Sequence, residues 1–168
     1  MNRPAELSLA TATGRFGGLA WRSDGAPRVL CLHGWLDNAA SFVPLANRLQ
    51  GLDLVALDLA GHGHSVHRPP GTRYHMMDNL WDVESVLDAL GWKDAIIMGH
   101  SLGGVIACTY AAAAPERVQR LIALDGLGPL SATPEQTAQR LQKSLQSVRN
   151  ATGKMREFDS VDEAVEAR

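Results

Sequence analysis

The pentapeptide Gly99-His100-Ser101-Leu102-Gly103 has the G-x-S-x-G spacing of a nucleophile set on a sharp turn. A serine hydroxyl attacks a carbonyl only when a base draws off its proton and when donors wait for the oxyanion that forms. A turn that strains the backbone at Ser101 lifts its hydroxyl clear of its neighbours. Glycines on either side let the arms of that turn pack without Cβ atoms. The flanks agree with this geometry. Asp94–Met98 is a short apolar run that reads as a buried strand, and Val105–Ala114 reads as a buried helix stopped by Pro115. An ordinary glycine-rich strand-to-helix turn could carry the same five residues, so the flanking strand and helix carry the inference.

The elements that must hold this turn alternate along the chain. Leu7–Ala12 and Gly18–Arg22 read as short strands, followed by a turn at Asp24–Pro27. Arg28–Leu32 is an apolar strand that runs out at His33-Gly34. Ala39–Gln50 reads as a helix stopped by Gly51, and Asp53–Leu57 as a strand ending at Asp58. A loop rich in Gly, His and Pro leads to a helix over Met77–Leu90, with Leu80, Val83, Leu87 and Leu90 on one face. A last strand is expected over Arg120–Leu124. The sum is an α/β fold, a mostly parallel sheet with crossover helices. Composition shifts after Pro129, which divides the chain into residues 1–130 and 131–168. The second part is polar and helical, with Leu141, Leu145 and Val148 as one apolar stripe and Asp159 or Ser160 capping a further helix. It reads as a lid over the site or as a surface appendage.

Bulk properties exclude several classes. A 168-residue chain that is 45% hydrophobic and 20% charged can bury a sizeable core. A formal net charge of -2 argues against a nucleic-acid surface and a polybasic membrane patch. No apolar run reaches membrane-spanning length, and the first residues lack the apolar stretch of a secretion signal, so a cytoplasmic protein is expected. Cys31 and Cys108 fall on a core strand and a core helix and read as small buried hydrophobes of a reducing compartment. His62, His64 and His67 invite a metal reading. A metal needs three or four convergent ligands, and a loop held by hydrogen bonds from Asp58 and His62 is the simpler expectation. No metal and no cofactor are expected.

Three markers in fixed order resemble the α/β-hydrolase superfamily. They are Leu32-His33-Gly34-Trp35 after one strand, Asp58-Leu59-Ala60-Gly61-His62-Gly63-His64-Ser65 after the next, and the Ser101 pentapeptide after the third. Leu36–Phe42 and Leu124–Pro129 are most similar to the serine hydrolase-like proteins within it. The resemblance implies the α/β-hydrolase fold and the cleavage of an ester or similar acyl compound by Ser101. It places oxyanion donors on the N–H groups of Leu102 and Trp35, and it gives His33 and Gly34 the shaping of the loop between them. His100 is expected to line the elbow, and Trp35 to wall the acyl pocket or to be a core tryptophan.

The same resemblance implies an acid and a histidine after the serine. Asp125 is the candidate acid, at a position that some members use for catalysis and others for structure. The histidines are 33, 62, 64, 67, 75 and 100, and none follows Ser101. The fold is therefore expected to be incomplete at its C-terminus, with only the start of a helical cap, and the chain alone to be inactive. A fragment of a longer enzyme and a short non-catalytic binding protein both remain open. The expected partners are a small acyl substrate and, through the open edge of the Arg120–Leu124 strand, another copy of the chain.

Overall fold

The computed structural model describes residues 3–129, 131–150 and 158–167. Expectations that touch residues 1–2, 130, 151–157 and 168 lie outside these. The chain divides into two compact units, Met1–Pro129 and Leu130–Arg168.

In the first unit the aliphatic runs become six strands: β1 (Ala5–Thr11), β2 (Gly14–Trp21), β3 (Arg28–Leu32), β4 (Asp53–Leu57), β5 (Ala95–His100) and β6 (Val118–Leu124). They lie in the order β1-β2-β4-β3-β5-β6. β4, β3, β5 and β6 are mutually parallel, whereas β1 and β2 form an antiparallel hairpin whose second strand pairs antiparallel with β4. Successive side chains on a strand point to opposite faces. Leu30, Leu32, Val55, Leu57 and Ile97 therefore meet one layer, and Val29, Cys31, Leu54, Ala56 and Met98 meet the other. Cover on both faces is why β3 and β4 read as continuous apolar runs rather than as alternating ones.

One face is covered by α2 (Met76–Ala89) and α3 (Leu102–Ala113). α2 buries Leu80, Val83, Val86 and Leu87; of the expected stripe Leu90 is instead the half-buried C-cap, with Val86 buried in addition, and Gly91 ends the helix at φ +67°. Tyr110 of α3 donates its hydroxyl to Glu84 of α2, and Arg117 pairs with Asp88 at 2.6 Å, which ties the far ends of both helices. The other face is covered by Ala39, Phe42 and Ala46. Here the expected helix over Ala39–Gln50 is corrected. A 3₁₀ turn covers Ala39–Phe42 and a short α1 covers Val43–Ala46. Pro44 has no N–H and would break a continuous helix, but it fits the first turn of a new one.

The second unit contains α4 (Pro134–Asn150) and α5 (Val161–Glu166). Along α4, Leu141, Leu145 and Val148 recur at helical spacing. At the start of α5, Ser160 Oγ accepts the Glu163 N–H at 3.1 Å. Among the described residues no helix is long and apolar enough to cross a membrane.

Candidate active site

Ser101 sits between the end of β5 and the first residue of α3, with φ 51° and ψ −113°. This is a left-handed conformation for a residue with a side chain, and it is held from three directions. Ser101 N–H donates to Leu124 O at the end of β6 at 2.9 Å, and Gly103 N–H donates to His33 O beyond β3 at 3.1 Å. Val105 N–H closes the helix onto Ser101 O at 3.1 Å. The glycines are steric necessities here. A Cβ on Gly99 would strike the Gly103 carbonyl, and one on Gly103 would strike the Leu32 carbonyl. Both obstacles are backbone, which cannot swing aside.

The loop after β3 lies against this turn. A Cβ built on Gly34 would stand 3.5 Å from Ser101 Cβ and 3.2 Å from His100 Nδ1. His33 is fully buried and both of its nitrogens are engaged. Its Nε2 accepts the Leu59 N–H at 2.9 Å, which leaves the proton on Nδ1, donated to Gly34 O at 2.7 Å. Burial holds its pKa below the usual histidine value, against the opposing pull of the Gly34 carbonyl. His33 is thus neutral and committed. Gly34 C=O belongs to the same planar peptide as Trp35 N–H, so the His33 bond fixes the direction of that N–H. Among the described residues nothing accepts from the Trp35 or Leu102 N–H groups. Leu102 opens α3, where backbone N–H groups have no helical partner and the helix dipole favours negative charge.

The far side of the loop is clamped by the segment after β4. Buried Asp58 accepts from Ala39 N–H at 2.8 Å and from His64 N–H at 2.9 Å, one on each carboxylate oxygen. Ser65 Oγ accepts the Gly17 N–H at 2.9 Å and so ties the same segment to the hairpin. His62 Nε2 accepts the Leu36 N–H at 3.2 Å. Trp35 does not join the core: it is 65% exposed at the mouth of the site. His62, His64 and His67 form no metal-holding group among the described residues.

Asp125 follows β6 directly, exposed, at φ 49°. Among the described residues its carboxylate bonds to no histidine. Its neighbour Gly126 is closer to the chemistry than sequence reasoning recognised, since a Cβ there would strike the Ser101 carbonyl, and one on Gly104 would lie 2.5 Å from Gly126 O. The signal was a glycine two residues after a strand. His100 is half-buried and lines a groove of about 320 Å³ beside the elbow with Ser41, Phe42, Leu45 and Leu124. Cys31, on β3 nearby, is no competing nucleophile, because burial pushes its thiol up to about 12.

Comparison with known proteins agrees with the fold. The profile of the family described as alpha/beta hydrolase fold matches residues 27–166. A serine hydrolase-like protein of Homo sapiens is 44% identical over 122 residues, which are 72% of this chain and 60% of that protein. The solved structure of a hypothetical protein from Pseudomonas aeruginosa PAO1 superposes with TM-score 0.87 at 38% identity, over 99% of this chain and 59% of that one. A thioesterase domain from the curacin biosynthetic pathway superposes with TM-score 0.78 at 27% identity, over 99% of this chain and 61% of that one. The chain spans less than two thirds of the length of each.

Proposed function

This chain belongs to the α/β-hydrolase fold family, and from that premise we propose that it carries the nucleophile and oxyanion donors of a serine hydrolase acting on an ester or similar acyl compound. The observation that carries the reading is the strained backbone of Ser101 at a strand-to-helix turn with the Gly34-Trp35 loop packed on it. Ser101 Oγ attacks the acyl carbon, and the N–H groups of Trp35 and Leu102 receive the oxyanion. The groove walled by Phe42, Leu45 and Leu124 takes the acyl group, with His100 and Ser41 as its polar edge. The name of the thioesterase domain fits the same acyl chemistry.

The reaction also needs a base. His33 does not fit that role, because both nitrogens are committed to the loop, and residues 102–168 contain no histidine. These 168 residues alone are therefore proposed to turn over only at the residual rate that oxyanion donors supply. That same lack of a histidine after Ser101 favours a second reading, a protein that keeps the pocket for binding without hydrolysis.

A reversible probe tests the first reading, with buffer taking up the proton that Ser101 releases as its oxygen bonds boron. Phenylboronic acid becomes tetrahedral on a serine oxygen and presents its hydroxyl to the oxyanion donors, as a transition-state analogue does. Boron NMR is expected to show a tetrahedral adduct with the chain and none with Ser101→Ala. Equal binding by both would refute the assignment of Ser101 and leave the binding-protein reading.

A further inference from the structure

The Trp35 N–H lies in the peptide plane that joins Gly34 to Trp35, and the structure fixes that plane and the one that follows it. The plane before Trp35 contains Gly34 C=O, which receives the His33 Nδ1 proton at 2.7 Å. The plane after Trp35 contains Leu36 N–H, which donates to His62 Nε2 at 3.2 Å. His62 Nδ1 in turn stands 3.2 Å from Ala60 O, so a neutral ring donates there and keeps Nε2 as the acceptor. The two imidazoles pack edge to face with centroids 5.0 Å apart, and the Trp35 ring stands edge-on to His62 at 5.7 Å. Leu36 has φ 55°, a conformation that a leucine keeps only when its surroundings impose it. At 63% exposed, its side chain gains little burial from that conformation.

We propose that His62 is a positioning residue for the oxyanion site: by accepting the Leu36 N–H it sets the peptide after Trp35, as His33 sets the one before, and so holds the Trp35 N–H in one direction beside Ser101. The inference rests on the reading of Trp35 as an oxyanion donor. It gives the exposed loop tip an anchor that the buried bonds at His33 and Asp58 do not supply. A side chain that fills the same space without an acceptor should leave the fold intact and the donor loose.

The test uses the whole chain with phenylboronic acid as probe and amide hydrogen exchange as a second readout. His62→Phe is expected to speed exchange of the Leu36 amide and to weaken boronate binding about tenfold, the worth of one hydrogen bond. His62→Gln places a carboxamide oxygen where Nε2 was and is expected to bind the boronate within about threefold of the original. If His62→Phe does not fold, His62→Leu, smaller and equally without an acceptor, replaces it. Boronate binding unchanged in the acceptor-free variant overturns the proposal, as does an equal loss in His62→Gln. If the original chain and Ser101→Ala bind alike, the nucleophile assignment itself has failed, and the role of His62 fails with it.

Discussion

β4 and β6 run parallel in one sheet, on either side of the β3–β5 pair. Both are rich in aliphatic residues. All five residues of β4 are buried, whereas Leu121, Ile122 and Leu124 of β6 are 40%, 37% and 37% exposed. Strand composition therefore does not decide burial. β4 has a strand on each side and a layer on each face, and β6 has β5 alone as a strand neighbour among the described residues. The candidate site straddles this contrast. Its oxyanion side hangs from β3 and β4 through His33, Asp58 and His62. Its other side ends at Leu124, Asp125 and Gly126, beyond the edge strand.

The contrast breaks if matched substitutions in the two strands have equal effects. Val55→Asp would bury an unpaired carboxylate at a fully covered position and is expected to cost about 4 kcal/mol or more. Leu121→Asp should stay within about 1 kcal/mol of the original. Urea unfolding of both variants measures the difference, and comparable losses would mean that β6 is as covered as β4.

A smaller effect separates two glycines of the elbow. Gly103→Ala drives a Cβ into the Leu32 carbonyl and is expected to cost about 1–3 kcal/mol. Gly34→Ala meets only the tip of His100 at 3.2 Å, which can turn away. Its unfolding midpoint should be near that of the original, with the His100 ring signals shifted in NMR spectra. A large loss at Gly34 would show that His100 is as immobile as backbone.

Next in size is a dependence on pH. Burial holds the pKa of His33 below its ordinary value of 6.5, so the unfolded chain binds a proton at a pH where the native chain does not. The contribution of His33 is therefore complete above that ordinary value of 6.5 and is lost as pH falls through it toward the lower native value. Urea midpoints taken between about pH 7.5 and about pH 5 should fall, and the fall should be shallower in His33→Gln. The same slope in both proteins would mean that His33 is not buried neutral.

The smallest effect on stability sharpens the edge itself. An open strand edge invites pairing with a second copy, and lysine there discourages it. Sedimentation of the chain is expected to show association that grows with concentration. Ile122→Lys should reduce it while changing stability by less than about 0.5 kcal/mol. A monomer at every concentration would show that this edge is protected.

Much of this was legible along the chain because it is local. The elbow was marked by a strand, two glycines and a helix stop, and the buried face of α2 by its period. The break at Pro44 was misread, because apolar spacing continued through a residue that cannot continue a helix. Gly104 and Gly126 were not singled out, since their need for a bare Cα arises from contacts that β6 makes after folding. The resemblance pointed to Trp35 as a donor. The peptide orientation that supports it depends on His33 and His62, which three dimensions bring together from separate loops.

Acyl transfer to Ser101 tests the central claim most directly. If, as proposed, no histidine of these 168 residues serves as base, an acyl group placed on Ser101 should leave slowly and the acyl-enzyme should persist. After incubation with p-nitrophenyl acetate, peptide mass mapping is expected to find a persistent acetyl group on Ser101, and Ser101→Ala should lose that adduct alone. Acetyl spread over lysines such as Lys93 and Lys143 at the same rate in both proteins, with none on Ser101, would contradict the account.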